Sequence, residues 1–187
     1  MSWAIWITGR PGSGKTTLAT RLAEALQTWP VTVKVLDLAT ARRTIVRRAW
    51  ASDAEEEIVH RALAYAAKLL TEAGVAVVLD ATAPRRAWRD AAREWITHFA
   101  EVQLVCPPEL CFARERATRW ALGGAAAGGV ASAPDVALDY EESLHAELRV
   151  HTHVPDLLNT VEEVLLLARR LHRAATATVT PSERTLT

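Results

Sequence analysis

Apolar runs and amphipathic stretches alternate along most of this 187-residue chain. Trp3-Ala4-Ile5-Trp6-Ile7-Thr8 reads as a buried strand, and Leu18, Leu22, Ala25 and Leu26 follow at helical spacing. Val31–Leu36 reads as a second strand ending at Asp37, and Val75–Leu79 as a third ending at Asp80. Glu101–Val105 is a fourth, stopped by Pro107-Pro108, and Leu148–His151 a last one. Helices are expected over about Thr40–Trp50 and Glu55–Ala73, with a break near Ser52-Asp53 and a stop at Gly74. Further helices are expected over Pro84–His98, Glu109–Trp120 and Val161–Arg173. Strands that are apolar throughout and alternate with helices predict an α/β fold with a five-stranded parallel sheet flanked by helices. Residues 1–173 are expected to form one domain. Ala174–Thr187 lacks apolar periodicity and is expected to be a disordered tail, and Gly123–Gly129 a flexible segment of low complexity.

One loop in this pattern carries a specific chemistry. Gly9-Arg10-Pro11-Gly12-Ser13-Gly14-Lys15-Thr16 fits the phosphate-binding P-loop pattern G-x-x-x-x-G-K-[ST] at every specified position, between a strand and a helix. Glycines let the backbone wrap a polyphosphate, and the loop amides and the helix N-terminus face the negative charge. Lys15 adds a point charge toward the β- and γ-phosphates, and the Thr16 hydroxyl can sit on Mg²⁺. The expected fold is therefore that of a P-loop NTPase of the nucleotide-kinase type, using ATP and Mg²⁺, with Thr17 closing the binding segment.

In a parallel sheet, ligands bind at the carboxyl ends of the strands, which places Asp37 and Asp80 along the same edge as the loop. Asp80, after an aliphatic run, has the setting of a carboxylate that orients Mg²⁺. Asp37 is placed to orient an acceptor hydroxyl and take its proton. Each could instead be a strand-end turn or helix-cap aspartate. Arg114, Arg116 and Arg119 can clamp phosphates bidentately, or simply be a solvated helix face.

Composition narrows the partners. Twenty-two basic and 22 acidic residues give a formal net charge of zero, which disfavours a general nucleic-acid or membrane-surface binder. Only Lys15, Lys34 and Lys68 are lysines, so arginine supplies most positive charge. Cys106 and Cys111 form no zinc spacing and read as buried free thiols, and His151 and His153 lack the ligands to complete a metal site. With no secretory leader and no run of membrane length, a cytoplasmic protein is expected. Its partner would be a small-molecule acceptor, and a homodimer is one compatible assembly.

The collinear order of further motifs resembles the adenylylsulfate (APS) kinases over about Ile5 to Leu171. Leu36-Asp37-Leu38-Ala39-Thr40-Ala41-Arg42 sits where that family shows L-D-G-D-N-x-R, and Pro84-Arg85-Arg86-Ala87-Trp88-Arg89 is similar to its S-P-x-R-x-x-R. Glu101-Val102, Pro108-Glu109-Leu110-Cys111 and Arg114-Glu115 resemble its E-V…P-x-x-x-C-x-x-R-D stretch, and Tyr140-Glu141 with Ala146-Glu147-Leu148 its Y-E…P-E-L region. The resemblance implies substrate contacts from Asp37, Arg42, Arg86 and Arg89, catalysis by Asp37, Lys15 and Arg86, and nucleotide contacts from Gly9–Thr17 and Arg114. Thr16 and Asp80 would hold the metal.

The acceptor half departs from the pattern. Ala39 replaces the second Asp of D-G-D, and Glu56 and Val59 stand where D-R-x-x-N has Arg and Asn. Arg114–Trp120 lacks the family lysine, and Gly129-Val130-Ala131-Ser132 stands near the place of F-T-G. An acidic Glu56 where a cation should meet an anion is a repulsive element. The leading expectation is an ATP-dependent kinase acting on a hydroxyl of adenylylsulfate or another small metabolite. A nucleotide-binding regulatory protein without transfer activity is the alternative. A GTPase switch is disfavoured, because the one asparagine, Asn159, is followed by Thr160 and starts no guanine-reading Asn-Lys-x-Asp.

Overall fold

In the computed structural model, residues 1–45, 52–121 (backbone only at 119–121), 139–153 and 157–178 are described. Strand β1 (Ala4–Gly9) leads through the glycine loop into α1 (Lys15–Leu26). Then come β2 (Val33–Asp37), α2 (Leu38–Ile45), α3 (Asp53–Glu72), β3 (Ala76–Asp80) and α4 (Arg86–Trp95). Strand β4 (Phe99–Val105), α5 (Pro108–Ala121), β5 (Leu148–His151) and α6 (Leu157–Ala177) complete the order. All paired strands are parallel, in the order β2-β3-β1-β4-β5. This is the expected α/β sheet.

The alternation of β1 sorts the core into two layers. Trp3, Ile5 and Ile7 point to one face and pack with Leu18 and Leu22 of α1 and Val164 and Ala168 of α6. Ala4 and Trp6 point to the other and pack with Leu63 and Ala67 of α3 and Ala92 of α4. Five consecutive positions, Trp3 to Ile7, are fully buried, as a central strand covered on both faces requires. The chain leaves β1 toward one side of the sheet and later returns past it to β4 on the other. The loop after β1 therefore sits at the switch point, where an open α/β sheet leaves a crevice at its carboxyl edge.

Several boundaries differ from the sequence expectation. Helix α2 starts at Leu38, directly after β2, because Asp37 Oδ1 accepts the Thr40 N–H at 2.8 Å and caps the helix. Helix α3 starts at Asp53 behind a capping box in which the Ser52 hydroxyl and the Glu55 carboxylate accept each other's backbone N–H. It ends before Gly74, at φ 86°. Helix α4 stops at Trp95, short of His98, because Ile96 turns extended and Phe99 then pairs with Ala4 in β4. The closing helix runs on to Ala177, with Ala175 buried, so residues 174–177, expected in the tail, are helical. Residues 179–187, Gly123–Gly129 and Gly129–Ser132 lie outside the described residues.

Candidate active site

The glycine loop is shaped by one close approach, at Gly12, and one open side, at Gly14. A side-chain carbon at Gly12 would come within 2.2 Å of the Cys111 carbonyl, so only glycine lets α5 pack on the loop. Gly14 sits at φ 100° at the start of α1, with nothing within 4 Å of the place a side chain would occupy. That open space lies at a helix N-terminus, where backbone N–H groups lack intrahelical partners and favour anions. The Lys15 ammonium folds back on the loop and donates to the Gly9 and Arg10 carbonyls at 3.0 Å each. Burial pushes its pKa down to about 8, opposed by the charge of Asp80.

Asp37 and Asp80 are direct neighbours in the β2–β3 register, at the carboxyl ends of both strands. Asp80 is nearly buried. Its pKa is raised by burial and by Asp37, while a hydrogen bond from the exposed Thr16 and the charge of Lys15 pull it down. Thr16 and Asp80 together present the hard oxygen donors that Mg²⁺ prefers beside a phosphate cradle. The residues thus fit a Mg·nucleotide, with Thr16 and Asp80 as holders of the metal and the loop as holder of the phosphates. Among the described residues, no cluster of three or more His, Cys, Asp or Glu forms a separate metal site.

The segment after Asp80 is pinned carbonyl by carbonyl. Trp6 Nε1 donates to Ala81 O at 2.9 Å, the Thr8 hydroxyl to Thr82 O at 2.6 Å, and Arg89 Nη1 to Ala83 O. Ala83 is held at φ 41°, a left-handed conformation that alanine adopts at a cost. These contacts aim the chain toward Arg85 and Arg86 at the start of α4. None of them is visible in a linear motif, although the polar Thr8 within an apolar strand is a signal that could have drawn attention.

The arginines assigned to the acceptor prove to be engaged within the protein. Arg89 is fully buried, where the sequence placed it on substrate. Its Nε lies 2.9 Å from Glu101 Oε1, its Nη2 donates to Glu141 O at 2.5 Å, and its guanidinium lies over the Tyr140 ring. Arg89 is therefore a positioning residue that locks the Tyr140-Glu141 segment onto α4. Tyr140 in turn meets the Thr8 hydroxyl at 3.0 Å. Replacing Arg89 by Met removes the nearer cation from the buried Glu101, leaving it the Ser143 hydroxyl at 3.0 Å and Arg93 at 3.8 Å, and is expected to lower unfolding stability by about 3 kcal/mol in urea titrations. Unchanged stability would return Arg89 to the substrate. Arg86 Nε donates to Glu142 O at 3.0 Å, and its backbone N–H to Glu141 Oε2 at 2.7 Å.

Arg42 of α2 and Glu56 of α3 are brought together. The acidic residue that broke the family pattern thus lies beside a cation from within the chain. Glu56 is set by its surroundings: His60 Nδ1 lies 2.7 Å from its carbonyl, and the His60 ring stacks on Trp88 of α4 at 4.5 Å. Burial and the charge of Arg42 press His60 down to about 3, so it stays neutral. Sequence reading missed His60 and Trp88, whose partnership depends on α3 meeting α4. Val59, the other departure, is core. Arg114 Nη2 donates to Thr152 O at 2.8 Å and ties α5 to the chain after β5. Near it, Arg10, Cys106, Glu142 and His151 line a cavity of about 320 Å³ at the carboxyl edge of the sheet. Cys106 and Cys111 are buried free thiols.

Comparison with known proteins decides the family. The Adenylylsulphate kinase family profile matches residues 1–151. The chain belongs to this family. It is 33% identical over 156 residues to a probable adenylyl-sulfate kinase of Archaeoglobus fulgidus, covering 83% of this chain and 99% of that one. The Mycobacterium tuberculosis APS kinase CysC, solved with AMPPNP and APS, superposes with a TM-score of 0.73 over 90% of this chain and 98% of that one, at 24% identity. A gluconokinase of Sinorhizobium meliloti 1021 reaches 0.64 at 18% identity, over 95% and 98% of the two chains. The last two likenesses establish the shared fold. As a member of the adenylylsulphate kinase family, the chain is a P-loop kinase, and no described helix is long and apolar enough to cross a membrane.

The depressed Lys15 gives this kinase a pH signature. Bound phosphate stabilises the charged ammonium, so nucleotide binding near and above pH 8 should take up a proton. Above about pH 8, affinity for AMP-PNP is expected to fall by up to about tenfold per pH unit as the free protein increasingly holds neutral Lys15. Calorimetry at pH 8.5 in buffers of different ionisation enthalpy measures the uptake. The same group affects the fold in the opposite sense. Its pKa is lowered on folding, so between about 8 and 10.5 the unfolded chain binds more protons and this group's contribution to stability rises with pH.

Proposed function

We propose that this chain transfers the γ-phosphoryl group of ATP to a hydroxyl of a small-molecule acceptor, in the manner of an adenylylsulfate kinase. The observation that carries the reading is the side-by-side placement of Asp37 and Asp80 at the strand ends next to the P-loop. The loop amides and Lys15 bind and orient the triphosphate. Mg²⁺, when bound at Thr16 and Asp80, supplies charge neutralisation of the phosphates. Asp37, fixed by its cap on α2, orients the acceptor hydroxyl and accepts its proton. A bond forms between the acceptor oxygen and the γ-phosphorus, the bond to the β-phosphate bridging oxygen breaks, and ADP leaves. A cytoplasmic setting, where ATP is supplied, fits this chemistry.

The test is ADP release over a panel of hydroxyl acceptors that includes adenylylsulfate, with mass spectrometry of the phosphorylated product. A product heavier by one phosphoryl group supports the proposal. Binding of AMP-PNP with no product from any acceptor would overturn it in favour of a regulatory nucleotide-binding protein.

A further inference from the structure

The β1–β3 ladder stops where the site begins. Its last pair in register is Ile7 with Asp80, and the Ala81 N–H still reaches the Ile7 carbonyl at 3.3 Å. Beyond that bond the two chains part, one into the phosphate loop and the other toward α4. The buried Thr8 hydroxyl bridges them there, donating to the Thr82 carbonyl at 2.6 Å.

A hydroxyl has a single proton to give. Thr8 spends its proton on Thr82, so in the 3.0 Å contact with Tyr140 the phenol is the donor and Thr8 Oγ1 the acceptor. The result is a directed chain from the Tyr140 hydroxyl through the Thr8 hydroxyl to the Thr82 carbonyl. Tyr140 is itself buried and held from both arms of the site. The Arg10 guanidinium of the loop lies 5.9 Å from its ring centroid and that of Arg89 on α4 5.1 Å. The next residue, Glu141, donates its N–H to the Pro84 carbonyl at 2.9 Å, on the segment that follows Asp80.

We infer that Tyr140 is a positioning residue which, through Thr8, holds the phosphate loop and the Asp80 strand end at one spacing. That spacing matters most to a bound cation. Phosphates need the loop alone, whereas Mg²⁺ held by Thr16 and Asp80 takes an oxygen from each arm at once and tolerates little departure from its geometry. A buried chain of hydrogen bonds suits the task, because any member left unpaired is costly. The inference rests on the Mg·nucleotide half of the reading above and asks nothing of the acceptor.

Calorimetric titration of AMP-PNP into the full chain, once with Mg²⁺ and once with EDTA, tests it. Tyr140→Phe keeps the ring beside Arg10 and Arg89 and removes only the donor. It should weaken binding about fivefold with Mg²⁺ and by less than about twofold with EDTA. Thr8→Val breaks the chain at its centre and should show the same selective loss, at least as large. In the double variant Tyr140→Phe/Thr8→Val the loss should equal that of Thr8→Val alone, since the phenol then has no acceptor to lose. Equal weakening with and without Mg²⁺, or losses that add in the double variant, would overturn the inference and leave Tyr140 a packing residue. A wild type that binds AMP-PNP no more tightly with Mg²⁺ than with EDTA removes the Thr16–Asp80 metal site and this inference with it. Absence of ADP with every acceptor removes the kinase reading alone, because the binding ratios decide the role of Tyr140 without turnover.

Discussion

Lys15→Ala is expected to lower ADP formation by about 10³-fold at saturating Mg·ATP, because it removes the loop lysine that we propose stabilises the transferring phosphates. The fold should survive. Lys15 is part-buried, and among the described residues its ammonium donates to the Gly9 and Arg10 carbonyls. Burial lowers its pKa, so holding this charge opposes folding below about pH 8. Thermal unfolding of the variant should therefore show a midpoint at or above that of the wild type. An ADP-release assay on the best acceptor, run beside that scan, separates lost chemistry from lost structure. Retention of full activity would remove the P-loop lysine from the mechanism.

Asp37→Asn should lower kcat by about 10²–10⁴-fold while leaving stability nearly unchanged. The two effects separate because the proposal gives Asp37 a second job besides its cap. It stands beside Asp80 at the carboxyl end of the sheet, where we propose it takes the acceptor proton, and its Oδ1 caps α2 through the Thr40 N–H. Asparagine keeps the cap and loses the proton acceptor. Alanine loses both, so Asp37→Ala should add a stability loss of about 1 kcal/mol to the same kinetic defect. Stopped-flow phosphoryl transfer and urea titration of the two variants read the two jobs independently. If Asp37→Asn keeps full kcat and Asp37→Ala loses only stability, Asp37 is a helix cap and nothing more.

Much of the donor half was legible because its signals are local. The P-loop fixes its glycines, lysine and threonine by consecutive spacing, and its flanks show a continuous apolar run followed by helical periodicity. Asp37 and Asp80 stood out because each closes an apolar run, and the α/β pattern alone sends such ends to one edge. Local reading failed where a charge finds its partner across the fold. Arg89 and Glu101 are 12 residues apart, on α4 and β4, and their burial against each other cannot be told from a solvated arginine in a chain this rich in them.

The acceptor half shows the same division. The sequence reported that Glu56 replaces a basic residue, and this alone reads as repulsion toward an anion. It could not report that α2 and α3 bring Glu56 beside Arg42. By itself, then, the sequence determined the layered fold, the phosphate cradle and the two strand-end carboxylates, because each depends on residues within one turn or one strand. Only the tertiary structure decided the strand order and which of the described arginines, such as Arg89, are engaged within the protein. Those depend on long-range packing, in which a charge's role is set by what lies opposite it.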